Sequence, residues 1–236
     1  MDTILITGTN RGIGLALAKT LLAGGHTVVA AARRPEESAE LKALQKKHGD
    51  AVTLLKCDVN DAAGVREAAR LLQKQREQLD VIVNNAAIMP EDGGESVLDM
   101  DLELIERAFQ TNVIGAARVI QSFGSLLLKS ARPRILNVSS NLGSISDKRD
   151  HQYYAYSISK AALNMFTRAC AAELGSKGAI VVAISPGWVR TDMGGPDADL
   201  SVEESSEALA HAIASLGPDA NGKFLDRQGR AGRYKW

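Results

Sequence analysis

Tyr156 and Lys160 are the residues of this sequence with the clearest capacity for chemistry. They stand four apart in a run with helical patterning, so they share one face. A tyrosine hydroxyl titrates near ~10, and an ammonium beside it favours the phenolate and brings proton transfer toward neutral pH. Such a pair can give a proton to a carbonyl oxygen or take one from an alcohol. Tyr153 and Tyr154 lack this partner, because Ser157 and Ile158 stand four residues on from them. A second group is the run Thr7-Gly8-Thr9-Asn10-Arg11-Gly12-Ile13-Gly14, which lies between a short apolar stretch and a helical pattern. Glycines there let the backbone turn tightly and approach a pyrophosphate, and the helix that follows offers free N–H groups and a partial positive charge. A glycine-rich run alone is weak evidence, since a tight turn that only packs helix on strand reads the same way.

These groups need elements that hold them at one edge. Short apolar runs at 3–7, 27–31, 51–57, 79–84, 134–138, 179–184 and 223–226 read as strands. Between them, helical patterns cover 12–23, 35–47, 61–74, 101–129, 154–175 and 202–215. The strands are β-branched and apolar without alternation, as strands covered on both faces are. Alternating strands and helices imply a parallel sheet with right-handed crossovers. No repeat, low-complexity tract or linker divides the chain, so residues 1–236 read as a single α/β domain.

Composition excludes several classes. Lys+Arg and Asp+Glu both number 28, which argues against a general binder of nucleic acid or of a membrane surface. Aromatic residues are 4%, too few for base stacking as a mode of recognition. Cys57 and Cys170 form no CxxC or Cys/His cluster, so a reduced, cytoplasmic chain with neither disulfide framework nor metal is expected. His26, His48, His151 and His211 make no ligand or triad pattern. No apolar stretch approaches a membrane span, and no signal peptide is visible.

The glycine spacing Gly-x3-Gly-x-Gly resembles the classical short-chain dehydrogenase/reductase family. Four more segments resemble it in order: Asn84-Asn85-Ala86-Ala87, Asn137-Val138-Ser139-Ser140, Tyr156-x3-Lys160 and Ser185-Pro186-Gly187-Trp188-Val189-Arg190-Thr191. The likeness covers essentially the whole chain and is nearest to the small carbonyl-reductase-like (C-factor and sniffer-like) branch. It implies a Rossmann-type doubly wound parallel sheet of about seven strands with helices on both faces. It also implies reduction of an aldehyde, ketone or quinone by hydride transfer from a nicotinamide cofactor, or the reverse oxidation. A homodimer or homotetramer would form through the helices that carry Ala116, Ala117, Ala161 and Ala162, read as exposed small residues.

The resemblance assigns roles to single residues. Tyr156 becomes the proton donor and Lys160 lowers its pKa and binds the nicotinamide ribose. Ser140 orients the carbonyl oxygen, and Ser139 would point elsewhere. Asn112 holds a water that links the lysine to solvent, although a buried asparagine satisfied by nearby backbone would read the same way. Gly8, Asn10, Arg11, Gly12, Ile13 and Gly14 cradle the cofactor. Asp58 and Val59 lie at the adenine, and Asp58 could instead cap the next helix. Asn85 and Ala86 line the ribose and nicotinamide side. Pro186, Gly187, Val189 and Thr191 hold the carboxamide end. Ala87 departs from the family's usual glycine, and its methyl would crowd a close backbone approach.

Charge decides the cofactor. In this fold an acid at the end of the second strand binds the ribose hydroxyls and repels a 2′-phosphate. Here Ala32 stands there, followed by Arg33-Arg34, with Arg11 in the glycine run. Guanidinium groups bind phosphate in a geometrically specific way, so NADP(H) is preferred over NAD(H). The plainer alternative is that Arg33 and Arg34 open a solvated polar helix. The substrate pocket must come from loops of the same domain: 141–154, the turn near Pro90, and 193–200. From Ser140 to Tyr156 is 16 residues, longer than the family's common spacing, which marks an insertion. The short 193–200 segment points to an open site with broad specificity. A dinucleotide-binding regulatory or cell-signalling protein with little turnover is the alternative from another class, and a sensor could dispense with the tyrosine, lysine and serine.

Overall fold

Seven short aliphatic runs pair into one sheet in the computed structural model, which describes residues 1–236. They are β1 (Thr3–Thr7), β2 (Thr27–Ala32), β3 (Val52–Lys56), β4 (Val81–Asn84), β5 (Arg134–Val138), β6 (Ile180–Ile184) and β7 (Phe224–Leu225). The order is β3-β2-β1-β4-β5-β6-β7, and every pairing is parallel. Helices α1 (Gly12–Ala23), α2 (Ala39–His48), α3 (Ala62–Gln73), α4 (Glu103–Phe109), α5 (Gly115–Leu127), α6 (Tyr154–Gly175) and α7 (Val202–Ser215) complete the fold.

Successive strand residues feed two separate cores. Ile4, Ile6, Val28 and Ala30 pack with Leu17 and Leu21 of α1 and Leu209 and Ile213 of α7. Leu5, Val29 and Ala31 pack with Val65 and Leu72 of α3 and Phe123 of α5. The strands lack alternation because both faces are covered by helices. The strand order reverses between β1 and β4, and in such sheets a ligand crevice opens there, beyond the carboxyl ends of the strands.

Two helices differ from expectation. The helix expected over 35–47 is split: Pro35–Glu37 forms a 3-10 turn, and α2 starts after Ser38, whose Oγ accepts the Leu41 N–H at 3.2 Å. The helix expected over 101–129 is continuous but carries a π-turn, Gln110–Ile114, between α4 and α5. The small residues are less exposed than expected. Ala116 is buried in a cluster with Val113 and Leu163, and Ala117, Ala161 and Ala162 are half-buried. α4 and the π-turn lie against α6 within the chain, which covers part of this surface. No helix is long and apolar enough to cross a membrane.

Candidate functional site

The glycine run follows β1 into the crevice. Gly8 and Gly12 have φ of 73° and 55°, the left-handed region that glycine adopts without strain. A Cβ on Gly14 would lie 2.3 Å from the Gly8 carbonyl oxygen, so no side chain fits there. Asn85 fixes this loop from the end of β4: its Nδ2 donates to the Thr7 and Gly8 carbonyls at 2.9 and 3.2 Å. The Asn85 and Ala86 backbone N–H groups both donate to Thr7 Oγ1 at 3.1 Å. The Asn85 amide thus holds the loop in shape, a use the sequence reading did not give it. Ala87 does not take a left-handed backbone, so its methyl adds no backbone strain. α1 begins at Gly12 with no side-chain cap and no acid in its first turn, which leaves its N–H groups and partial positive charge available to an anion. Ile13 is half-buried on the first core, and Asn10 is exposed.

The three arginines are not equivalent. Arg34 pairs with Glu37 at 3.2 Å. Arg11 pairs with Asp192, which joins the glycine run to the segment after β6. Arg33 is exposed and enters no salt bridge. Asp58 accepts the Asn60 N–H at 3.0 Å, while Asp61 caps α3 through the Ala63 N–H, so the capping alternative for Asp58 falls away. Val59 is buried, and a Cβ on Gly115 would approach its Cγ2 to 2.9 Å. On the other side, Thr191 lies over Gly12, its Cγ2 being 3.5 Å from where a Gly12 Cβ would be. Pro186 is held by Ser205, whose Oγ donates to its carbonyl at 2.9 Å. Gly187 has φ of 88°, and Val189 is buried and bridged to Leu200. Arg190 Nη1 donates to the Ala198 carbonyl at 2.7 Å, so residues 188–200 form a closed, self-bonded loop.

Tyr156 and Lys160 lie one turn apart near the start of α6, both buried. Lys160 Nζ donates to the Val138 carbonyl at 2.7 Å and lies 5.4 Å from the Tyr156 ring centroid. Ser140, the last residue before the 3-10 turn Asn141–Gly143, lies beside the Tyr156 phenol; its Oγ accepts the Leu142 N–H at 3.2 Å and donates to Asn141 Oδ1 at 3.3 Å. Ser139 is buried and donates to Asn164 Oδ1 at 2.6 Å, away from the phenol. The protonation states differ from the sequence expectation. Burial pushes the Tyr156 phenol up to about 12; the neighbouring Ser140 hydroxyl opposes this and the Glu91 charge adds to it. Burial also lowers Lys160 to about 7, so the ammonium is itself weakened and does not bring the phenol toward neutrality.

Asn112 lies in the π-turn, buried, and its amide is fully engaged. It accepts the Ile88 N–H at 2.8 Å and donates to the Ile88 carbonyl and to Ser159 Oγ, each at 2.9 Å. This is the backbone-satisfied arrangement that the sequence reading held as an alternative, and it ties the loop after β4 to α6. Neither amide proton is left for a water.

Two features escaped the sequence. Glu91 is buried beside the start of α6, and its Oε1 accepts the Tyr156 N–H at 2.6 Å. Only its place after Pro90 in a proposed pocket turn hinted at it. The chain's last residues fold back over the 141–154 insertion: Ser146 Oγ donates to the Trp236 carbonyl at 3.0 Å, and Asp147 Oδ2 accepts the Lys235 N–H at 3.4 Å. Trp236 stacks on Phe224 of β7 and Tyr234 lies tilted against it, with ring centroids 5.5 and 5.3 Å away.

A doubly wound parallel sheet with a glycine cradle at its reversal point, and Tyr156 and Lys160 buried alongside, defines an α/β protein of the Rossmann type. Residues 2–199 match the family described as short chain dehydrogenase, and the chain belongs to that family. It is 39% identical over 152 residues to C-signal of Myxococcus xanthus, covering 64% of this chain and 90% of that protein. Among solved structures it is similar to the carbonyl reductase Sniffer of D. melanogaster, with a TM-score of 0.94, 31% identity and all of both chains covered. It is also similar to an NADPH-bound carbonyl reductase from chicken fatty liver, with a TM-score of 0.90, 32% identity and coverage of 100% and 99%.

Proposed function

We propose that this oxidoreductase-family chain uses NADP(H) to reduce a small carbonyl compound, an aldehyde, ketone or quinone, to the alcohol, and can run the reverse. The observation that carries the reading is the buried Tyr156 with Lys160 one turn away and Ser140 beside it, next to a crevice whose floor admits no side chain at Gly14. The similarity to the carbonyl reductases supports it. NADPH, when bound, supplies the hydride.

The chain's own groups do the rest. The glycine run and the uncapped start of α1 receive the pyrophosphate, and Arg33 receives the 2′-phosphate, with Arg11 available when released from Asp192. Thr191 and Val189 border the carboxamide end. Ser140 orients the carbonyl oxygen and Tyr156 gives it a proton. The phenol is protonated at neutral pH, which is the form reduction requires; oxidation of an alcohol would need the anion. We place the enzyme in the cytoplasm as a single domain that assembles into a homodimer or homotetramer. The likeness to C-signal favours a second reading, a signalling protein with little turnover. NADPH oxidation measured against a panel of aldehydes, ketones and quinones separates the two. Turnover that disappears in Tyr156→Phe is expected, and a Tyr156→Phe variant as active as wild type would sink the mechanism.

A further inference from the structure

α6 starts without a local cap. The residue before it, Tyr153, has φ of 55°, the one non-glycine residue of the chain in the left-handed region, and its side chain bonds no first-turn N–H. The first N–H groups of this 22-residue helix therefore need acceptors from elsewhere. Tyr156 is the third residue of the helix, and the acceptor for its N–H is the Glu91 carboxylate, 2.6 Å away and 65 positions back in the chain. Glu91 is 6% exposed, and its second oxygen, Oε2, is buried with no protein partner. A serine or asparagine could satisfy that N–H without burying a charge. A carboxylate here is favoured by the helix's partial positive charge.

The segment that carries Glu91 is fastened to α6 on both sides. Upstream, Ile88 is held through both backbone groups by Asn112, which also reaches Ser159 of α6. Downstream, Gly93 has φ of 81° and meets the Tyr153 ring so closely that a Cβ would come within 2.5 Å of it. The groups around the phenol are thus Lys160 from its own helix, the Ser140 hydroxyl from the segment after β5, and Glu91 from the segment after β4.

We propose that Glu91 is a positioning residue for the proton donor: it caps α6 at Tyr156 itself, seats the phenol beside Ser140, and places a negative charge next to the phenol. This rests on the reading of Tyr156 as the acid. One oxygen serves position and the carboxylate's charge serves protonation, so the two uses separate by mutation. In Glu91→Gln an amide oxygen still accepts the Tyr156 N–H, but the charge is gone; in Glu91→Ala both are lost.

The test combines carbonyl-reduction kinetics across pH with an ultraviolet titration of phenolate in the protein alone. Tyr156→Phe identifies the signal of Tyr156 among the four tyrosines of the chain. Glu91→Ala should lower kcat at neutral pH on the order of tenfold or more with the NADPH Kd unmoved, and Glu91→Gln should recover most of it. In Glu91→Gln the Tyr156 phenolate and the alkaline limb of the rate profile should both appear at lower pH than in wild type. A wild-type kcat in Glu91→Ala, or a wild-type Tyr156 titration in Glu91→Gln, overturns the proposal. If Glu91→Ala does not fold, the isosteric Glu91→Gln decides through its titration. Persistent turnover in Tyr156→Phe would remove the acid role while leaving the effect of Glu91 on the phenol measurable.

Discussion

Replacement of Arg33 by alanine tests the cofactor assignment most directly. Of the three cations near the end of β2, Arg34 is engaged by Glu37 at 3.2 Å and Arg11 by Asp192, while the donors of Arg33 are free. A hydrogen bond to a charged group contributes ~1.5–3 kcal/mol. Arg33 is exposed, so screening by water and salt holds its phosphate contact to the lower part of that range. Arg33→Ala should therefore weaken NADPH by ~1.5–2 kcal/mol, a rise in Kd of about 10- to 30-fold. NADH has no 2′-phosphate, and its Kd should change by less than about threefold. Calorimetric titration of both cofactors into both proteins at low and high salt measures this. The preference for NADPH should narrow as salt rises in wild type and be nearly flat in the variant. Asp192→Asn gives the opposite sign: it releases Arg11 and should tighten NADPH alone. Equal losses for NADPH and NADH in Arg33→Ala would refute the phosphate role and leave Arg33 a solvated surface residue.

The other expectations concern the acid/base group and the assembly. Tyr156→Phe should lower carbonyl reduction by about 10²–10⁴-fold, the usual range for a general acid, with the NADPH Kd unchanged in a direct titration. Lys160 has a folded pKa of about 7 against an ordinary 10.5, so between those values the unfolded chain binds more protons than the folded one. Its contribution to stability is present above 10.5 and lost as pH falls through 7. The melting temperature of wild type should therefore gain on that of Lys160→Met as pH rises from about 7 to 9, a range that stays below the ionisation of free tyrosine. A constant difference between the two would contradict the buried-lysine account. Phe109, Ile158 and Met165 are 37%, 43% and 71% exposed on α4 and α6, an apolar surface suited to a second copy of the chain. Light scattering should give a dimer or tetramer, and a monomeric mass at micromolar concentration would reject the assembly.

Local chemistry explains which elements were legible in the sequence. Strands 3–7 and 134–138 and helix 154–175 match to the residue, and helices 12–23 and 202–215 lie where they were expected. Their ends carry local signals: Gly24-Gly25 closes α1, and Ser201 with Glu204 makes a capping box for α7. The split at Ser38 was missed because a serine inside a polar helical pattern looks like one more exposed position; only its bond to Leu41 reveals a cap. The π-turn has no composition of its own. It holds Asn112 where its amide can reach both Ile88 and Ser159, contacts 24 and 47 positions away in sequence. The motif residues Ser140, Tyr156 and Lys160 were legible because their spacing is local to one helix and the strand before it. Glu91 was not, because an acid after a proline reads as a solvated turn until α6 is seen to begin on it.

The sequence also misjudged how Tyr156 and Lys160 share charge. Spacing alone argues that an ammonium one turn away stabilises the phenolate, which holds when both groups stay near water. Here both are buried, and burial penalises whichever form is charged. The lysine falls to about 7 and the phenol climbs to about 12, so both are pushed toward their neutral forms. That order has a consequence for turnover. On the proposed reading, in which Tyr156 gives its proton away, a protonated Lys160 is the stronger acid of the two and a source for its return. Lys160 then recovers its own proton near neutral pH, where its pKa lies. A lysine left at its ordinary 10.5 would exceed the phenol, at about 12, in acidity by far less and would be a poorer source of that proton. The desolvation that undoes the simple electrostatic argument is what gives the pair a downhill direction for proton return.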